Sequence, residues 1–159
     1  MTVDAEEEYC VGLADKYNLK SIPIESEYQS YGRPVYPWFI FKDISSGVEI
    51  KLGRRYRVYS IGMTFDPKIS IEKVNQIFPE DGTRCMDDIY AGEECLKIPE
   101  ESRMIELLKL NEELGDSVIN MYKNLIDIAK TGKISQFSIH AHSREKLEEY
   151  LLRFIELSK

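Results

Sequence analysis

The stretch PEESRMIELLKLNEELGDSVINMYKNLIDIAK, residues 99–130, runs directly into a strand-like segment, Ile134 to His142, and the pair decides how this chain folds. Leu107, Leu114, Val118, Met121, Leu125 and Ile128 recur at spacings of three, four and seven, which gathers them on one helical face. Met104, Ile105, Leu108 and Leu110 widen that face near its start. Pro99 suits a first-turn position, where its missing N–H needs no partner, and Glu100 and Glu101 follow beside the positive end of the helix dipole. Lys130 and Lys133 flank the other end, with Gly132 as the natural left-handed cap. Gly115-Asp116-Ser117 is the weak point, because Gly costs about 1 kcal/mol against Ala and Asp or Ser can cap a new helix. The stripe nevertheless keeps its phase from Leu114 to Val118, so the reading is one long helix over about 99–130. Its near-heptad spacing also admits a homodimer seam along the helix.

Around this pair the chain reads as α+β. Residues 3–17 form a helix with Cys10, Leu13, Ala14 and Tyr17 on one face. Ser21 to Tyr28 is extended, and its Pro23 suits an edge strand. Residues 29–37, with Gly32, Pro34 and Pro37, read as a loop. Strands follow at about 36–43, 47–52 and 54–63, with Tyr56, Val58 and Ser60 on one face of the third and Arg55, Arg57 and Tyr59 on the other. Ser70 caps a short helix bearing Ile71, Val74, Ile77 and Phe78, and residues 79–98 read as an irregular acidic loop. In the strand from 134, Phe137, Ile139 and Ala141 alternate with Ser138, His140 and His142. Ser143 then caps a last helix bearing Leu147, Leu151, Phe154 and Ile155. The expected fold is a single globular domain over 1–159: an antiparallel sheet of four to five strands with helices packed on one face.

Charge is distributed more tellingly than its total of −7. Residues 42–73 hold seven basic against four acidic side chains, whereas residues 79–101 hold eight acids against Arg84 and Lys97. A net-acidic chain is a poor ligand for duplex nucleic acid, whose phosphates demand cations. No run of apolar residues reaches the length of a membrane span, and the acidic N-terminus is unlike a targeting peptide. Three cysteines, Cys10, Cys85 and Cys95, at no metal spacing point to thiols in a cytoplasmic compartment, although Cys85 and Cys95 are near enough in sequence to pair.

Three clusters carry possible chemistry. His140 and His142 point to one side of a strand about 7 Å apart, a spacing that lets two imidazoles share a metal ion in a hydrolase. Further ligands at a telling spacing are missing, and histidines on an open strand face are the ordinary explanation. Lys51, Arg54, Arg55 and Arg57, interleaved with Tyr56 and Tyr59, suit a nucleotide or other phosphate ligand, yet no glycine-rich phosphate loop accompanies them. Their plainer role is ion pairing, or guarding an exposed strand edge. Glu80, Asp81, Asp87, Asp88, Glu93 and Glu94 surround Tyr90 in a pattern that suits covering a basic protein surface. A solvated loop is the competing account.

No complete catalytic set, cofactor box or nucleophile motif stands in the sequence. The expectation is therefore a small, cytoplasmic, non-catalytic binding protein of inhibitor, immunity or anti-defence type. It engages a basic protein partner through its acidic residues and needs no cofactor. The alternatives are a phosphate-ligand module on the arginine-rich hairpin and a metal-dependent hydrolase on the histidine pair.

Overall fold

The computed structural model describes residues 3–19, 21–25, 28–30, 33–35, 39–43, 47–52, 58–78, 82–87, 89–92 and 95–158. In chain order its elements are α1 (Val3–Lys16), β1 (Ser21–Glu25), β2 (Tyr28–Ser30), β3 (Arg33–Val35), β4 (Phe39–Asp43), β5 (Glu49–Leu52) and β6 (Tyr59–Ser70). There follow α2 (Ile71–Ile77), β7 (Arg84–Met86), β8 (Ile89–Ala91), α3 (Glu101–Leu110), α4 (Asp116–Thr131), β9 (Lys133–Ala141) and α5 (Arg144–Leu157). The fold is α+β. The chain divides into two compact units, Met1–Thr64 with Ser138–Lys159, and Phe65–Phe137; β6 and β9 each contribute residues to both.

In the first unit, β1, β4, β5 and β6 pair antiparallel in succession, and β9 lies beside β6. Register is fixed by pairs such as Pro23 with Phe41, Phe41 with Ile50, and Ile50 with Ile61. Pro23 sits on the end strand β1, where a missing N–H does least harm to the ladder. Residues 29–37 are more than a loop, because β2 and β3 form a separate antiparallel pair with Gln29 opposite Pro34.

Strict alternation at the start of β6 buries Tyr59, Ile61 and Met63 and leaves Ser60 and Gly62 half-covered. Cys10, Leu13 and Ala14 of α1 and Leu147, Tyr150, Leu151, Phe154 and Leu157 of α5 are buried at helical spacing. Glu148 ties these helices together at their rims, accepting from Lys16 Nζ at 2.5 Å and from the Tyr17 hydroxyl. Those two bonds, Lys16 foremost, hold its carboxyl below the ordinary glutamate value.

In the second unit, Phe65, Ile71, Val74, Phe78, Met86, Leu96, Ile128, Ile134 and Phe137 are buried. The rings of Phe78 and Phe137 lie 5.0 Å apart and tilted. Ser70 caps α2 by accepting from Lys73 N–H at 3.2 Å. The Ile71 N–H donates to the Gly132 carbonyl at 2.9 Å, so the helix starts against the residue that ends α4.

The 99–130 stretch is two helices rather than one. Asn111 to Gly115 break it, and Asp116 begins a second helix with Gly115 at its N-cap. Asn111 adds a local alternative to the helix ladder, because its side chain donates back to the Leu107 carbonyl at 2.7 Å. Pro99 also lies one residue before the N-cap Glu100 rather than in the first turn. Residues 79–98 contain structure that reads as loop in the sequence, namely the hairpin β7–β8, with Asp87 at its turn in a left-handed conformation (φ 41°).

Candidate functional site

The second unit carries the most unusual surface. Helices α3 and α4 form a hairpin, joined by five residues and clasped at one point by Lys130 Nζ and Glu101, 3.7 Å apart. Two helices alone cannot enclose two apolar stripes. As a result, Met104, Ile105, Leu107 and Leu108 of α3 are only half-covered and Leu110 is exposed, and α4 buries only Ile128. Leu110 is 73% exposed, Ile98 54% and Leu114 47%. Glu112, Glu113 and Asp116, all exposed, stand in the same turn as Leu110 and Leu114, so apolar and acidic groups share the tip of the hairpin.

The expected acidic belt is only partly in view. Glu80, Asp81, Asp88, Glu93 and Glu94 lie outside the described residues, and Tyr90 sits in β8 opposite Cys85. Asp87 departs from the expectation of a partner-facing acid. It is 5% exposed, and its carboxylate accepts from the backbone N–H and the hydroxyl of Ser135 at 2.9 and 2.6 Å. All three cysteines are thiols, so the Cys85–Cys95 disulfide open to the sequence is not formed.

Of the arginine-rich hairpin, Arg54, Arg55 and Arg57 lie outside the described residues, and Lys51 pairs through its backbone with Ser60. Tyr59 belongs to the core rather than to an open face. It is 4% exposed, and its buried hydroxyl makes no hydrogen bond among the described residues. A ring so enclosed cannot stack on a ligand at the surface.

His140 is half-buried and His142 exposed, while Ile139 and Ala141 between and beyond them are buried. Burial first, and the charge of His142 second, hold His140 below the ordinary histidine value. Among the described residues no three His, Cys, Asp or Glu side chains converge as a metal set would.

One residue without a role in the sequence reading stands out. Arg84 is fully buried in β7, alternating with half-covered Cys85 and in phase with buried Met86. Its Nη1 donates to the Phe78 carbonyl at 3.3 Å and to Asn75 Oδ1 at 3.5 Å, while Nε and Nη2 make no hydrogen bond among the described residues. Asn75 meanwhile closes a clasp on Leu96, donating to its carbonyl and accepting from its N–H, both at 3.0 Å. The signal available in the sequence is the two-residue period Arg84–Met86, which puts one of the two cations of an acidic stretch on the same strand face as an apolar residue.

No described helix is long and apolar enough to cross a membrane. Compared with protein-family models, curated proteins and solved structures, the chain matches none.

Proposed function

We propose that this chain is a non-catalytic binding protein whose second unit engages a protein partner carrying an apolar socket ringed by basic side chains. The observation that carries the reading is α3, a helix of ten residues with five large apolar side chains, four of them half-covered and Leu110 exposed. Covering one such side chain fully is worth roughly 1.5–3 kcal/mol, which a partner can supply and a lone hairpin cannot. Apolar centre and acidic rim together match the usual anatomy of an interface. The charge favours a basic partner over a second copy, which would bring its own net −7. Glu80, Asp81, Asp88, Tyr90, Glu93 and Glu94 remain proposed partner contacts on the charge pattern of the sequence, and Asp87 does not. An inhibitor or immunity-type protein is the form we favour, in the cytoplasm, where thiols stay reduced.

The test places a photo-crosslinking residue at position 110 or 114 and maps the crosslinked protein in the native lysate. Association with that purified protein is then followed against salt. The expected result is association that slows as salt rises, slows further in a Glu112→Gln/Glu113→Gln/Asp116→Asn variant, and is lost in Leu110→Ser/Leu114→Ser. Crosslinks only to a second copy would overturn the proposal. So would binding indifferent to all five substitutions.

A further inference from the structure

We infer that the Nε–Nη2 edge of Arg84 is an oxyanion-binding site that takes a carboxylate or phosphate side-on. This does not rest on the partner-binding reading. A guanidinium presents two edges: one is reached through Nη1, the other through Nε and Nη2 together, whose N–H bonds point the same way and match two oxygens of one anion. In Arg84 the first edge is occupied by the Phe78 carbonyl and Asn75 Oδ1. The second, bidentate edge has no partner among the described residues, on a residue with no exposed surface.

Both atoms on the same fork lacking a partner is a sharper observation than scattered unsatisfied donors, because a single planar or tetrahedral oxyanion answers both. Burial raises the demand: a cation withdrawn from water persists only when paired and hydrogen-bonded. Among the described residues no carboxylate pairs with it. The nearest in sequence, Asp87, is committed to Ser135. The Asn75–Leu96 clasp holds α2 and the segment before α3 together, so the position of Arg84's partner carbonyl and amide is fixed before any anion arrives.

The same chemistry has two sources. One is a carboxylate from Glu80, Asp81, Asp88, Glu93 or Glu94, which flank Arg84 in sequence. The other is a free oxyanion, for which inorganic phosphate is the probe. Nitrogen-15-edited NMR of the arginine Nε–Hε groups separates them in the folded wild-type protein, with Arg84→Lys used only to assign the resonance. The expected result is one Nε–Hε resonance that resists exchange with water.

If the source is the chain's own, one of Glu80→Gln, Asp81→Asn, Asp88→Asn, Glu93→Gln or Glu94→Gln abolishes that resistance, and phosphate changes nothing. If the source is free, the five variants leave the resonance in place, and exchanging phosphate for Tris chloride moves it reversibly. Should Arg84→Lys fail to fold, the resonance is assigned through its connectivity to the Arg84 backbone. An Arg84 Nε–Hε that exchanges freely, or that neither the five variants nor phosphate alters, would overturn the inference.

Discussion

The Asp87 carboxylate grips Ser135 twice, taking its backbone N–H at 2.9 Å and its hydroxyl at 2.6 Å. This joins the turn of the β7–β8 hairpin to β9 within one unit, and both oxygens are used. Asp87→Ala leaves two part-buried donors without their acceptor and places a β-carbon residue with no turn preference at positive φ. The expected loss is about 2–3 kcal/mol in urea unfolding. Asp87→Asn retains one acceptor and tolerates the left-handed conformation, so it loses less than half as much. Equal losses for the two variants would count against this geometry.

Gly132 ends α4 at φ 66°, and its N–H donates to the Ile128 carbonyl at 2.7 Å. A β-carbon there would lie 3.3 Å from Ile98 Cδ1, the far end of an exposed side chain that can move aside. The backbone conformation is therefore the larger obstacle. Gly132→Ala is expected to cost about 1 kcal/mol in thermal unfolding, with little recovered by adding Ile98→Ala. Full recovery in the double variant would assign the cost to the contact instead.

Elements whose pattern is local were legible in the sequence, and those decided by competing local signals were not. The caps at Ser70 and Ser143 and the left-handed Gly132 follow from residue chemistry alone. The break at Asn111–Gly115 was harder, because the apolar stripe stays in phase across it and the turn is favoured by weak local hydrogen bonds. Shared parity with Arg55 and Arg57 puts Tyr59 on the ligand face in the sequence, whereas parity alone says nothing about which face is inside. Arg84 and Asp87 carry charges that composition assigns to the surface, and only tertiary packing places them in the interior. The remaining candidate acids and arginines fall outside the described residues.

Ser143 caps α5 by accepting from Lys146 N–H at 3.1 Å, just as Ser70 caps α2. Because α5 supplies five buried residues to its unit, a frayed first turn there loosens Leu147 before the others. Ser143→Ala is expected to cost about 1 kcal/mol, and Ser143→Asp to restore most of it by keeping an acceptor beside the helix dipole. Hydrogen exchange at the Lys146 amide, fast in the alanine variant and slow in the aspartate one, checks the mechanism separately from global stability.

The histidine pair gives stability a direction in pH. His140 titrates below the ordinary histidine value, chiefly through burial and then through the charge of His142. Its protonated form is thus less welcome in the folded chain than in the unfolded one, where the value is about 6.5. Above that value the imidazole is neutral in both states and costs nothing. As pH falls through it, the unfolded chain takes up the proton first, and stability is lost until the folded value is passed. Urea unfolding between pH 8 and pH 5 should show this decline, and His140→Gln should flatten part of it. His142→Gln should lessen the slope more weakly, by removing only the second cause. A slope unchanged by His140→Gln would show that other groups carry the acid sensitivity.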